Sequence, residues 1–230
     1  MGQPLSTALI HELQRLDSCS VANAIETFGV RLRNEGFTDG SIRCVFEDRA
    51  PVVGHAVTAR IRCSSPPPVG HNYIDRTDWW SHILTVPAPR IVVVEDVDDR
   101  PGIGAFVGEL HANILQALGC VACATNGAVR DVRAVGTLNF QLFAASVVPS
   151  HAYAHLVEFG TPATVAGLSV ESGALVYGDR HGLLTIPPSI LSAIPARVDE
   201  MRGKERAIVA LCRSADFSLD ALRTLVRQLG

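Results

Sequence analysis

The alternation of apolar and polar residues in the middle of the chain predicts strands that alternate with helices. Residues 55–63 alternate one by one, as in a half-buried strand. Residues 91–95 form a short run rich in β-branched residues, and a glycine-rich turn then leads into a predicted helix over about 106–118. Gly119 ends that helix, and residues 120–125 predict the next strand. Strand, loop and helix in this order indicate an α/β fold.

The N-terminal part of the chain predicts two helices. The first covers residues 6–17, where one face carries Leu9, Ile10, Leu13 and Leu16. The second is short, with Ser20 as the N-cap and Gly29 just past its end. Three prolines within residues 64–70 predict a loop, because proline lacks the backbone donor that a helix or a central strand needs.

The last third of the chain predicts strands followed by helices. The strands lie within residues 140–148, 167–178 and 182–187, and glycine-containing turns separate them. Two helices are predicted from about residue 189, and the second begins after a Ser218 N-cap. We expect this last helix to bury Leu222, Leu225, Val226 and Leu229.

Composition narrows the class of protein. The chain has 230 residues, of which 47% are hydrophobic and 19% are charged, so we expect one globular domain over residues 1–230. A net charge of -3 disfavours direct binding to nucleic acid. No apolar run approaches the roughly 20 residues that cross a bilayer, and polar residues interrupt the N-terminal segment, so we expect a cytoplasmic protein without a membrane span.

The cysteines are expected to be reduced and mostly buried. They stand at positions 19, 44, 63, 120, 123 and 212. Cys120 and Cys123 form a CxxC pair, but no second pair accompanies it as a zinc site requires, and the segment has the pattern of a buried strand.

Three polar residues are candidates for chemistry: Glu109, Arg130 and Asp131. Twenty residues separate Glu109 from Arg130, and a helix, a glycine turn and a strand between them return the chain to its starting edge. The carboxylates at the two ends of this segment, Glu109 and Asp131, suit Mg²⁺ or Mn²⁺. Arg130 can bind a substrate carboxylate through two hydrogen bonds. The alternatives are a surface ion pair for Arg130 and Asp131, and for Glu109 an acidic residue favoured by the helix dipole.

Three further features are assigned structural roles. His111 is expected to be a bystander, because residues two apart on a helix point in different directions. The aromatic segment 70–82 either shapes a pocket or packs in a subunit interface, and its tyrosine and tryptophans favour the interface. The acidic residues within 95–99 lack the spacing of a calcium loop, so we expect a solvated strand end.

Two segments, GELHANILQALGCVACATNGAVRDV at 108–132 and GLSVESGALVYGDRHGLLTIP at 167–187, resemble the RraA-like and 4-hydroxy-4-methyl-2-oxoglutarate (HMG) aldolase family. A weaker match covers residues 18–29 together with Gly70 and Asn72. The resemblance implies an α-β-β-α layered sandwich of the swivelling β/β/α type. It also implies homotrimers or pairs of trimers whose active sites lie between subunits.

The resemblance also implies roles for individual residues. Asp131 would hold the metal, partly through waters, and Arg130 would bind the substrate's carboxylate or carbonyl. Glu109 would be the second acid, where aldolases of the family carry aspartate, and backbone amides around Val107, Gly108 and Leu110 would face the keto acid.

The function implied is that of a lyase dependent on Mg²⁺ or Mn²⁺ and needing no organic cofactor. It would act on a small 2-keto acid by retro-aldol cleavage to pyruvate, by oxaloacetate decarboxylation, or by both. The alternative is a non-catalytic regulator of the RraA type that binds an RNA-degrading enzyme.

Overall fold

A nine-stranded mixed sheet forms the centre of the protein, and a two-stranded hairpin accompanies it. The computed structural model describes residues 5–70 and 73–229, so Asn72 and its neighbour His71 lie outside the described residues. The strands are β1 (Arg43–Cys44), β2 (Val52–Arg62), β3 (Arg90–Asp96), β4 (Ala105–Val107), β5 (Cys120–Val129), β6 (Gln141–Val147), β7 (His155–Phe159), β8 (Ala163–Val165), β9 (Leu168–Val170), β10 (Leu175–Asp179) and β11 (Gly182–Thr185). The helices are α1 (Thr7–Gln14), α2 (Ser18–Thr27), α3 (Arg76–Ile83), α4 (Glu109–Ala117), α5 (Val132–Val135), a 3-10 helix (Pro188–Ala193), α6 (Ile194–Cys212) and α7 (Leu219–Leu229).

Parallel strands make up the middle of the sheet. Its order is β1-β6-β5-β3-β2-β10-β11, with β4 paired to β5 and β7 paired to β2. The pairs β2–β3, β3–β5, β4–β5 and β5–β6 are parallel, whereas β1, β7, β10 and β11 pair in the antiparallel sense. The α/β class expected from the alternating pattern is confirmed.

Both faces of the central strands are buried, as expected for parallel strands rich in valine and alanine. One face packs against helices, where Trp79 of α3, Leu115 of α4 and Val135 of α5 join the core. The other face packs against the β8–β9 hairpin through residues such as Val165 and Leu168.

A second core joins the two ends of the chain. Leu13 of α1, Ile25 of α2 and Ile194 of α6 pack against Tyr177 of β10 and Leu184 of β11. The α7 helix does not join this core. Its expected apolar side is only partly covered: no residue of α7 is buried, and Val226 remains 48% exposed. The prediction that this side is buried was wrong for the chain alone.

Several boundaries differ from the sequence-based expectation. The first predicted helix ends at Gln14 rather than at residue 17, and the second begins at Ser18, because Asp17 caps α2 by accepting a hydrogen bond from the Ser20 backbone N–H, a role expected of Ser20 itself. The helix predicted over 106–118 begins only at Glu109, because residues 105–107 pair with β5 as a strand. Pro195 lies in the first turn of α6, where proline is tolerated, so it begins that helix without breaking it.

Four of the six cysteines are buried with reduced thiols, as expected from the sequence. Cys44, Cys63, Cys120 and Cys123 are buried and unbridged, whereas Cys19 and Cys212 are exposed. In the part of the chain that the structure describes, no helix combines the length and the apolar character needed to cross a bilayer.

Candidate functional site

The loop after β5 lies against the start of α4, and this contact brings the sequence candidates together. Strand β4 runs parallel to the end of β5, with Val107 opposite Val129, and the Arg130 backbone N–H donates to the Val107 carbonyl at 3.0 Å. The Asp131 carboxylate then accepts a hydrogen bond from the Glu109 backbone N–H at 3.1 Å. Two residues 22 positions apart in sequence thus become neighbours.

Gly108 permits this close approach. A Cβ atom at this position would lie 2.5 Å from the Asp131 Oδ2 atom and 2.9 Å from the Arg130 Cγ atom, which is too close for any larger residue. Asp131 itself adopts a left-handed backbone conformation, with φ at 53°, which is uncommon for a residue other than glycine. Backbone strain of this kind concentrates at functional sites.

The first turn of α4, next to Asp131, carries backbone N–H donors that are not bonded within the helix. The first intrahelical bond runs from the Ala112 N–H to the Gly108 carbonyl, so the amides of Leu110 and His111 have no acceptor within the helix. Of the amides that are not bonded within the helix, only that of Glu109 has an acceptor among the described residues, the Asp131 carboxylate. A helix N-terminus with free amides favours an anion, and a carboxylate or enolate fits that preference.

A cleft of about 470 Å³ lies beside this helix end. The residues that line it are Pro67, Arg76, Trp80, Ala105, Phe106, Gly108, Leu110, His111, Ile114, Arg130, His151, Ala152, Tyr153 and Ala154. Three of the six sequence candidates, Gly108, Leu110 and Arg130, line the cleft, whereas Val107, Glu109 and Asp131 lie immediately behind or beside that lining.

Arg130 and Asp131 form a contact at the edge of the cleft. Arg130 Nε lies 3.5 Å from Asp131 Oδ2, and the two side chains are 35% and 41% exposed. This is the surface pair that sequence alone leaves open as an alternative. Because the contact uses Nε, and the terminal guanidinium nitrogens make no hydrogen bond to a described residue, the ion pair and substrate binding are compatible.

His111 is the site residue that sequence reasoning assigned wrongly. It was expected to be a bystander, yet it lines the cleft and is only 6% exposed, with its Nδ1 atom 3.0 Å from the Phe106 carbonyl oxygen. Burial lowers the pKa of His111 to about 4, the backbone hydrogen bond opposes that shift, and the nearby Arg76 charge adds to it. The imidazole is therefore neutral at pH 7.

The aromatic segment that was expected to pack in a subunit interface shapes this pocket. Trp79 is fully buried in the protein's own core, 5.6 Å from the rings of both Phe106 and His111. Trp80, the next residue on α3, turns the other way and lines the cleft. Adjacent aromatic residues on a helix point about 100° apart, and that geometry is the signal that separates the two roles.

Arg76 and His151 also line the cleft, and the sequence offered no motif for either. The Arg76 guanidinium lies 5.3 Å above the Phe106 ring and donates to the Ala154 carbonyl at 2.9 Å. His151 belongs to a tight loop in which Ala152 has φ at 46°. These residues come from segments far from α4 in sequence, so only the folded chain reveals them.

Two acidic residues at the end of β3, Asp96 and Asp98, are buried, which corrects the expectation of a solvated strand end for them, whereas Asp99 is exposed as expected. Asp96 is 1% exposed and Asp98 is 8% exposed. Asp98 accepts hydrogen bonds from the backbone N–H groups of Cys63 and Ser64 at 2.7 and 2.8 Å. Asp96 accepts one from the Gly102 N–H at 2.8 Å. The two carboxylates thus hold the loops that follow β2 and β3.

The same pair forms a second group with metal-ligating atoms. Cys63 offers a sulfur that lies, with one carboxylate oxygen from each aspartate, within 4.8 Å. Burial raises the pKa of Asp96 and raises that of the Cys63 thiol to about 12. For Asp98 burial acts in the same sense, but hydrogen bonds from Ser64 and Cys63 outweigh it, and the pKa falls below its usual value. Hydrogen bonds from backbone amides already engage both carboxylates.

Comparison with known proteins identifies the family. A family model described as RraA-like, Aldolase/RraA, matches residues 18–185. The chain belongs to the RraA-like family. The family match includes Gly108, Glu109, Arg130 and Asp131, and it confirms the resemblance and the fold class expected from the sequence.

Relatives of this RraA-like chain carry different names. The chain is 26% identical over 170 residues to an uncharacterized protein of Methanocaldococcus jannaschii, a match that covers 73% of this chain and 76% of that protein. It is also 26% identical over 109 residues to a Halalkalibacterium halodurans protein named "Putative 4-hydroxy-4-methyl-2-oxoglutarate aldolase", covering 45% of this chain and 52% of that protein.

A solved structure shares the fold. The crystal structure of Streptomyces coelicolor RraAS2, titled an unusual member of the RNase ES inhibitor RraA protein family, superposes with a TM-score of 0.69. The match covers 90% of this chain and 98% of that chain at 18% sequence identity. Names associated with aldol chemistry and with ribonuclease inhibition therefore both occur among proteins similar to this chain.

Proposed function

We propose that this RraA-like protein is a divalent-metal-dependent lyase that acts on a small 2-keto acid. The reaction would be retro-aldol cleavage to pyruvate, decarboxylation of oxaloacetate, or both, since each passes through a pyruvate enolate. One observation carries the proposal: Arg130 and the free amides at the start of α4 lie on one cleft, with the Asp131 carboxylate at its edge. The named aldolase among its relatives supports the same conclusion.

Arg130 binds the substrate in this proposal. A guanidinium matches a carboxylate with two parallel N–H donors, and it also stabilises negative charge on a neighbouring keto oxygen. Its backbone is fixed by the hydrogen bond to Val107, and its side chain is oriented by Asp131. A lysine at this position would keep the charge but lose the two-donor geometry.

The first turn of α4 stabilises the developing charge. The amides of Leu110 and His111 and the helix dipole favour an oxygen that becomes more negative as the carbon–carbon bond breaks. Glu109 projects from the same turn, and we assign it proton transfer with the substrate. Its longer side chain, where aldolases of the family carry aspartate, moves that carboxylate by one methylene.

Asp131 is the residue that would hold Mg²⁺ or Mn²⁺. It fits that role because its carboxylate is 41% exposed, and only one of its oxygens is bonded to the Glu109 amide. Magnesium sites commonly use one or two protein carboxylates, with waters and substrate oxygens as the remaining ligands. When bound, such an ion supplies Lewis-acid stabilisation of the enolate.

The test is pyruvate release from oxaloacetate and from 4-hydroxy-4-methyl-2-oxoglutarate, with Mg²⁺ or Mn²⁺ and with a chelator. We expect release that requires the metal, and a decrease in kcat/KM on the order of 100-fold or more in Arg130→Ala. Arg133→Ala is the matched control, because Arg133 is an exposed arginine three residues away and does not line the cleft.

Equal losses in Arg130→Ala and Arg133→Ala would contradict the role of Arg130. No release above the uncatalysed rate from either substrate would contradict the lyase. That result would favour the alternative, a protein of the RraA type that regulates an RNA-degrading enzyme by contact.

A further inference from the structure

The floor of the cleft is apolar and aromatic over a continuous surface. Phe106 and His111 are 4% and 6% exposed, and their rings lie 4.8 Å apart at an interplanar angle of 74°. Trp80 lies against His111 at 6.4 Å, and Ile114 completes the floor from the next turn of α4. Since His111 is neutral at pH 7, this floor carries no formal charge.

The Ile114 end of the floor lies at a distance from the proposed carboxylate-binding end. Arg130 contacts the chain at Gly108, and Ile114 is six residues farther along the helix, which corresponds to roughly 9 Å at 1.5 Å per residue. In a 2-keto acid, three carbon–carbon bonds of about 1.5 Å each separate C1 from C4. A substrate held by Arg130 and extending along α4 would therefore bring the group attached to C4, rather than C4 itself, towards Ile114.

Arg76 stands over this floor without making it a polar site. Its guanidinium lies 5.3 Å above the Phe106 ring, and one of its nitrogens donates to the Ala154 carbonyl. This position places the guanidinium carbon over the Phe106 ring. Flat cationic and aromatic surfaces stack well on an aromatic ligand, whereas a second carboxylate would lose hydration over an uncharged floor.

We propose that Trp80, Phe106, His111 and Ile114 form the subsite for the substituent on C4, and that this subsite selects 4-hydroxy-2-keto acids with an aromatic or bulky apolar group there. The inference rests on the proposed lyase function and names its substrate class. In the cleavage, the C4 hydroxyl loses its proton, and C4 becomes the carbonyl carbon of an aldehyde that carries the aromatic or apolar group. The electron pair of the broken C3–C4 bond remains on C3, which takes up a proton to give pyruvate.

The turnover test compares three substrates that differ only at C4. They are 4-hydroxy-2-oxo-4-phenylbutanoate, 4-hydroxy-2-oxopentanoate and 4-hydroxy-2-oxoglutarate, which carry a phenyl, a methyl and a carboxylate group. We expect kcat/KM to be at least about 10-fold higher for the phenyl compound than for either of the others. A preference for the carboxylate compound would overturn the inference and would indicate that Arg76 binds a second substrate carboxylate. The proposed lyase function would still stand.

Variants test whether Trp80 makes this selection. Trp80→Ala should abolish the phenyl preference, because kcat/KM should fall at least about 10-fold more for the phenyl compound than for the methyl compound, and the remaining turnover of the methyl compound reports correct folding. Ile114→Trp should fill the subsite and impair the phenyl compound selectively. Tyr73→Ala is the matched control, because Tyr73 is an exposed aromatic residue near the same helix that does not line the cleft. A preference unchanged in both Trp80→Ala and Ile114→Trp would refute the assignment.

Binding without turnover separates this inference from the proposed function. The analogues 2-oxo-4-phenylbutanoate and 2-oxopentanoate lack the C4 hydroxyl and cannot undergo the cleavage. Calorimetry should show at least about 10-fold tighter binding of the phenyl analogue to wild type and no difference in Trp80→Ala. If the phenyl analogue binds more tightly but no substrate is cleaved, the subsite is supported and the proposed lyase function is contradicted. Equal affinities of the two analogues for wild type would contradict the subsite.

Discussion

At the scale of single residues, burial changes the acid–base behaviour of His111 most clearly. The side chain is 6% exposed and lies against the rings of Trp79, Trp80 and Phe106. Removing a cationic imidazolium from water is costly, so the neutral form is favoured and the pKa falls from the usual 6.5 to about 4. The unfolded chain therefore binds more protons than the folded protein between these two pH values.

The free energy of unfolding should consequently decrease as the pH falls from about 6.5 towards 4. Because stability increases with pH wherever the unfolded state binds more protons, this one group should cost roughly 2–3 kcal/mol at pH 4.5 relative to pH 7. The measurement is urea unfolding of wild type and His111→Gln across this range. Carboxylates titrate in both proteins, so the difference between the two curves isolates His111. Parallel curves would show that its pKa is not lowered.

At the scale of elements, the turn between β10 and β11 holds the N-terminal helices in place. Asp179, in the GDRHG segment, is 7% exposed and accepts hydrogen bonds from the backbone N–H and the hydroxyl of Ser18, each at 2.7 Å. It also accepts one from the His181 N–H at 2.9 Å. A motif that the sequence offers only as a family signature thus has a structural function, because it ties α2 to the sheet.

Asp179→Ala should lower the free energy of unfolding by about 2–4 kcal/mol, since it leaves the buried donors of Ser18 without their acceptor. Denaturant unfolding at pH 7 measures this loss. Asp216→Ala, at an exposed position after α6, serves as the control and should change stability by less than about 0.5 kcal/mol. If both variants unfold at the wild-type midpoint, the carboxylate does not hold α2.

At the scale of the whole molecule, two groups of side chains compete as the place for a divalent metal. One contains Asp131 at the edge of the cleft, and the other contains Cys63, Asp96 and Asp98 beneath the loops after β2 and β3. The first is open to solvent and to substrate. The second is buried, and its carboxylates already accept backbone hydrogen bonds.

Millimolar Mg²⁺ or Mn²⁺ should therefore raise the Tm of wild type by about 2–4 °C, as expected for a ligand at roughly ten times its Kd. Asp131→Asn should remove this shift, and Asp98→Asn should keep it even though its own Tm is lower. Thermal unfolding with metal and with chelator measures both. The reverse pattern would move the metal to the Cys63 group.

The molecule also exposes apolar surface that suits self-association. Phe217, Leu219 and Val226 at the C-terminal end are 49%, 57% and 48% exposed, and Leu110 at the edge of the cleft is 77% exposed. We expect a homotrimer or a pair of trimers, with a neighbouring subunit against the site. Light scattering should give three or six times the 24.6 kDa of the chain. A particle of one chain mass would contradict this assembly.

The local sequence determined the α/β class and the order of the central elements, because alternating and β-branched patterns report burial on one or both faces of a strand. It also determined that Glu109, Arg130 and Asp131 share one edge, because a helix and a parallel strand return the chain to its starting point. It misplaced boundaries where a neighbour decides them, as at residues 105–107, which become a strand only because β5 lies beside them.

Only the tertiary structure decided the walls of the cleft. Trp80 and Arg76 come from α3, Tyr153 comes from the loop before β7, and His111 owes its low pKa to rings from other segments. It likewise turned Asp96 and Asp98, which were expected at a solvated strand end, into buried loop anchors. Burial and contact between distant segments are properties of packing, and no periodicity along the chain encodes them.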